Sequence, residues 1–130
     1  MLEGTLGHRD SMGNGRQVKP GQIQLMSACR GITHSEFNPS PSGPLHFLQI
    51  WIQPHERGLT PSYTEWYPKP KHADAAKVLV ISPEGRDGSA AIHQDEDIYR
   101  IRLKPGQTVT QNYLGINQRR LLGIFACHCG

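Results

Sequence analysis

His34 and Glu36 are the side chains in this chain best suited to chemistry. Imidazole and carboxylate bind divalent first-row metals and also accept and release protons. A single residue, Ser35, separates them. In an extended strand, residues i and i+2 project from the same face, so the two groups would reach one point in space. Asn38 continues that face, and Pro39 ends the strand by removing a backbone donor. Ahead of them, Ala28 to Gly31 is a turn-prone run. Two ligands do not hold a catalytic metal tightly, so the rest of the chain has to be searched for others.

That search yields little from spacing alone. His46 falls in an apolar run and reads as a core or rim histidine. Cys127, His128 and Cys129 are three donors in a row, but neighbours on a strand face opposite ways. Only Cys127 and Cys129 would converge, which is half of a zinc site, so the run reads as a tail. Cys29 reads as a small residue in a turn, and His93-Gln94-Asp95 as a surface turn before a strand.

The elements that must position His34 and Glu36 read as short strands. Residues 2–8 alternate apolar and polar and predict a strand, with a turn at 10–15 where Asn14 and the glycines tolerate positive φ. Gln17 and Val18 begin a return strand, and Lys19-Pro20-Gly21 suits a type II turn. Residues 22–26 alternate cleanly and feed the His34 stretch. Residues 40–44 are a loop by composition. Residues 45–52 carry large apolar groups on both faces and predict a central strand between packed layers, with Phe47 and Trp51 in the core. An irregular connection over 58–71 follows, pinned by Tyr63, Trp66 and Tyr67, and residues 72–76 suit one helical turn. Strands are expected at 77–82, 98–103 and 107–111, with a short one at 90–92 and a turn at 83–88. A second Lys-Pro-Gly turn at 104–106 hints at a repeated β unit. Short antiparallel strands with tight turns predict an all-β fold, a sandwich or a small jelly-roll barrel enclosing a pocket.

Bulk properties agree with a single β-rich region. The chain has 130 residues, 14 Gly and 10 Pro, which favours many short segments over long helices. The formal charge of +3 comes from scattered Lys and Arg, without the dense basic cluster that nucleic-acid binding needs. Three cysteines make no disulfide framework and point to a reducing compartment, so a cytoplasmic location is expected. The N-terminus lacks the charged and apolar regions of a signal peptide, and no apolar run is long enough to cross a bilayer.

An ordered set of short motifs resembles a known family. Leu2-Glu3-Gly4-Thr5, His8, Asp10-Ser11-Met12-Gly13-Asn14, Pro20-Gly21, Met26-Ser27-Ala28, Gly31-Ile32, His34-Ser35-Glu36 and Asn38-Pro39 look like the N-terminal domain of pirin. The match continues through Leu45-His46, Gln49-Ile50-Trp51-Ile52, Gly58, Pro61 and Tyr63, then through Ser82-Pro83, Arg86-Asp87-Gly88, His93-Gln94-Asp95 and Tyr99. The sequence is especially similar to bacterial pirin-like proteins with quercetin 2,3-dioxygenase activity. The resemblance implies a bicupin, with residues 1–70 in the N-terminal cupin domain and 71–130 forming the connection and the beginning of a second cupin. It implies a metal, Fe(II) or another divalent transition ion, held by three histidines and one glutamate. His34 and Glu36 match the last two of those ligands, and Glu36 matches a candidate catalytic base. The first two, a His-x-His pair on a strand ahead of Leu-Glu-Gly, have no match here because Met1 stands directly before Leu2. Cys29 stands where relatives usually carry glycine, and His8 belongs to the family pattern without being a ligand in it.

The implied activity is opening of a flavonol's central ring by dioxygen with loss of carbon monoxide. The alternatives are a non-enzymatic, metal-dependent transcription co-regulator or an inactive fragment. The expected partner is a flavonol-like small molecule, with no direct nucleic-acid contact and no membrane. Barrel edges left without a strand would favour self-association.

Overall fold

The computed structural model describes residues 1–13, 15–27, 33–111 and 120–125. Among these the chain is all-β apart from two 3-10 turns, Pro70–His72 and Arg86–Gly88. It divides into two compact units, Met1–Pro68 and Lys69–Gly130.

The first unit contains β1 (Leu6–Asp10), β2 (Gly15–Val18), β3 (Ile23–Ser27), β4 (His34–Phe37) and β5 (Ser62–Trp66). β1 is the middle of a three-stranded antiparallel sheet ordered β2-β1-β4, and β3 pairs with β5 in a separate antiparallel ribbon. β1 starts at Leu6 rather than at Leu2 as expected. Gly4 sits at φ +76°, a left-handed conformation that interrupts an extended chain, and Glu3 makes only an isolated bridge to His46. After β1 the chain turns around Asp10, whose Oδ1 accepts the Met12 N–H at 2.9 Å while its carbonyl accepts the Gly13 N–H at 3.2 Å. Lys19-Pro20-Gly21-Gln22 is the expected type II turn: the Gln22 N–H donates to the Lys19 carbonyl at 3.0 Å, and Gly21 takes φ +82°. Leu6, Val18 and Trp66 form the apolar core of this unit.

Two expectations for this unit are overturned. Residues 45–52 form no strand. His46 bridges Glu3, no described strand pairs with the remainder, and Leu48, Ile50 and Trp51 are exposed, Trp51 to 82%. Trp51 is therefore not core, and Phe47 is only half-buried. Apolar alternation reports what a strand would bury, but burial requires a neighbour to pair with and pack against. Conversely, the stretch expected to be irregular contains β5, which runs in full register against β3 from Ser27↔Ser62 to Ile23↔Trp66. Pro61 and Pro68 lie outside this strand, so they bound it without removing a ladder donor.

The second unit contains β6 (Lys77–Ser82), β7 (Ala90–Ala91), β8 (Glu96–Ile101) and β9 (Arg120–Phe125), ordered β7-β6-β8-β9. β8 runs antiparallel to β6 with a register shift between Leu79 and Ile81, while the β6–β7 and β8–β9 pairs are parallel. The β-branched run of β6 places Val78, Val80 and Ile81 in a core closed by Ala90 and Ile98. β8 begins two residues ahead of the expected 98–103 span and ends two earlier. The expected helical turn at 72–76 is a 3-10 turn at Pro70–His72, started by the pre-set φ of Pro70. Lys104-Pro105-Gly106-Gln107 repeats the first turn, with the Gln107 N–H on the Lys104 carbonyl at 3.0 Å and Gly106 at φ +78°. Residues 107–111 are not in the expected strand: among the described residues no ladder partner meets them.

Candidate functional site

β4 carries the two candidate ligands as their spacing requires. His34 and Glu36 are half-buried while Ser35 and Phe37 are exposed, so imidazole and carboxylate share the inner face. The register against β1 sets their neighbours: Asp10 lies opposite His34, and His8 lies opposite Glu36. Directly paired residues of an antiparallel sheet point to the same side, so four polar groups form one patch across two strands. The start of β4 is tied to the β1–β2 turn, where the Ser11 N–H donates to the Thr33 carbonyl at 2.9 Å.

Beneath the two candidate ligands is a buried polar layer. His8 is 1% exposed, and its ring is engaged at both nitrogens. Gln24 Nε2 lies 3.0 Å from Nδ1, and Asp10 Oδ2 lies 3.5 Å from Nε2. One proton arrangement satisfies the chain. The Gln24 amide donates to Nδ1, and Nε2–H donates to Asp10, whose side chain is fully buried. The His8 ring lies against His34 with centroids 5.7 Å apart and planes 25° apart, and against Tyr63 at 5.4 Å. Tyr63, from β5, donates to Glu65 Oε1 at 2.7 Å. Burial first, then the hydrogen bond and negative charge of Glu65, push the Tyr63 hydroxyl well above its ordinary value, so it stays protonated. Tyr67 also donates to Glu65, and Arg16 lies 4.0 Å from that carboxylate.

Asn38 does not join the patch. It is exposed; its Nδ2 donates to the Gly43 carbonyl at 2.8 Å, and its Oδ1 accepts the Ser40 N–H at 3.0 Å, which shapes the following loop. His46 is exposed and contributes its backbone to the Glu3 bridge. His93-Gln94-Asp95 lies in bends leading into β8. Cys29 and Cys127-His128-Cys129 fall outside the described residues.

The donor types of His34 and Glu36 fit a divalent first-row metal, and neither side chain is so deeply buried that an ion could not reach it. Among the described residues, however, no group of three or more His, Cys, Asp and Glu is placed to hold one. His8 is not a third donor, since both of its nitrogens are spent on Gln24 and Asp10. The pair therefore fits as part of a ligand set. Sequence reasoning did not single out Asp10, Gln24 or Glu65 as site residues. Their types carry no ligand signature, and only the strand pairings bring them together.

A β-rich unit presenting a histidine and a glutamate on one strand face fits the cupin fold that the resemblance implies. Residues 1–52 match the Pirin family model, and residues 79–122 match that of the quercetinase C-terminal cupin domain. The chain belongs to the pirin family. It is 51% identical over 114 residues to a quercetin 2,3-dioxygenase of Escherichia coli (strain K12), covering 85% of this chain and 47% of that one. It is 39% identical over 121 residues to a putative quercetin 2,3-dioxygenase of Pasteurella multocida, covering 92% of this chain and 50% of the relative. Among solved structures it is similar to the bacterial pirin YhhW of E. coli in complex with nickel(II), with a TM-score of 0.71 and 51% identity over 78% of this chain and 42% of that one. The chain thus spans about half the length of these relatives. No helix among the described residues is long and apolar enough to cross a membrane.

Proposed function

We propose that this chain supplies the His34–Glu36 half of a pirin-type metal centre and acts in a quercetin 2,3-dioxygenase-type oxidation of flavonols. The carrying observation is the shared inner face of His34 and Glu36, backed by the His8–Asp10–Gln24 layer. The relatives' names and the nickel-bound pirin support the reading. Fe(II) or another divalent first-row ion is the expected metal. When bound, it would polarise the hydroxyketone of the flavonol and bring dioxygen to it. Donors outside the described residues would complete its ligand set.

The residues' own work is narrower. His34 would present a neutral imidazole, and Glu36 a carboxylate able to accept the flavonol hydroxyl proton. In the net reaction both atoms of one dioxygen enter the products: one carbon leaves as carbon monoxide, and the ring-opened ester keeps the rest. The test is aerobic incubation of Fe(II)- or Ni(II)-loaded protein with quercetin, following its absorbance and carbon monoxide. Turnover that disappears in Glu36→Gln supports the proposal, and unchanged quercetin with fully loaded protein overturns it.

A second reading is favoured by the lack of a third converging donor among the described residues. In it the chain is a non-enzymatic, metal-dependent transcription co-regulator or an inactive fragment, with weak metal affinity. Self-association through unpaired strand edges would accompany it, and a concentration-independent monomer in sedimentation would count against that part.

A further inference from the structure

Histidines that bind metals usually donate their second ring N–H to a carboxylate or carbonyl, and that bond fixes the ring plane. The His34 imidazole makes no such hydrogen bond among the described residues. Its contact is the stack on His8. His8, in turn, is not free to rotate. Gln24 Nε2 at 3.0 Å and Asp10 Oδ2 at 3.5 Å hold opposite edges of its ring, and Tyr63 packs on it at 5.4 Å between centroids. Each holder is itself held: Asp10 Oδ1 accepts the Met12 N–H, and Tyr63 is bonded to Glu65.

We propose that His8 is a positioning residue, a buried imidazole plate pinned at both nitrogens that sets the plane of the His34 ring. Both His34 nitrogens are thereby left for external partners, and the orienting role normally taken by a hydrogen bond passes to a stacked neighbour. The consequence for metal affinity rests on the metal reading above. The consequence for the His34 ring does not.

The test uses the full chain as wild type, His8→Leu and His8→Phe. Leucine fills the space without a plane, and phenylalanine restores the plane without the polar edges. In metal-free protein, side-chain relaxation of the His34 ring by NMR is expected to show an ordered ring in wild type and His8→Phe, and a mobile one in His8→Leu. Calorimetric titration with Ni(II) is expected to show affinity about 10-fold weaker in His8→Leu, the scale of orienting-residue losses, and recovered in His8→Phe. Equal His34 order in all three proteins overturns the proposal, as does equal loss in the Leu and Phe variants. Wild type that fails to bind Ni(II) while keeping the expected pattern of ring order removes the metal reading and leaves the positioning role supported. If His8→Leu does not fold, His8→Met, which also fills the space without a plane, takes its place with the same expected and overturning results.

Discussion

The two units share nearly the same local device and bury different chemistry. Each contains a Lys-Pro-Gly-Gln type II turn in which the glutamine side chain accepts the lysine N–H, at 2.7 Å in the first and 3.2 Å in the second. In the first unit the buried set mixes Leu6, Val18 and Trp66 with His8 and the Asp10 side chain. In the second it is chiefly aliphatic with His72 and Ser82; the His72 Nδ1 accepts the Lys69 N–H at 3.1 Å, and Ser82 is satisfied by the Arg86 N–H at 3.0 Å and the Ser89 hydroxyl at 2.8 Å. Burying polar groups costs free energy unless each finds a partner. The second unit meets that demand for Ser82 and His72 within two short local turns, whereas the first meets it across β1, β3 and β5, directly beneath the face that holds His34 and Glu36. The first unit buries its polar groups around the candidate site, and the second is built chiefly on aliphatic packing.

The contrast can be broken in order of expected effect. Ile98→Ala removes a side chain that is 1% exposed from the aliphatic core, so urea unfolding should show a loss of about 2–5 kcal/mol. Ni(II) binding by the folded fraction should be unchanged, and a matching loss of affinity would show that the units are not functionally separable. Gly7→Ala tests the other unit. A Cβ there would lie 2.6 Å from the Phe37 ring across the β1–β4 pair. A cost of about 1–3 kcal/mol is expected, together with shifted His34 resonances, and neither change should appear if Phe37 simply swings outward.

His72 gives the second unit a pH signature. Burial first, then Lys71, Arg100 and Lys69, lower its pKa below the ordinary 6.5, while its Nδ1 accepts the Lys69 N–H at 3.1 Å. The unfolded chain then takes up the proton before the folded one. Stability is full above pH 6.5, falls as the pH drops below 6.5, and levels off beneath the folded value. Denaturation midpoints on either side of pH 6.5 should show that slope, and His72→Asn should flatten it. Smallest of all, Trp51→Ser should change stability by under about 0.5 kcal/mol because the indole is exposed. A loss of about 3–5 kcal/mol, normal for a buried tryptophan, would mean that residues 45–52 are packed after all.

Much of this was legible along the chain. Both Lys-Pro-Gly turns formed where proline's fixed φ and glycine's positive φ dictate, and the apolar, β-branched run 77–82 is a strand with the expected ends. The period of two put His34 and Glu36 on one face, and the motif order identified the pirin family. What local patterning did not decide was which segments found neighbours. Residues 45–52 had the stronger apolar pattern and stayed outside every ladder, while 62–66 lay between prolines and paired fully with β3. Nor did it place His8 opposite Glu36 or bring Gln24 and Tyr63 to the His8 ring. Turn chemistry and side-chain alternation are properties of a few consecutive residues, so the sequence by itself determined the two candidate residues and their common face. Register between strands far apart in the chain depends on every pairing at once, and so only the tertiary structure decided what lies beneath them.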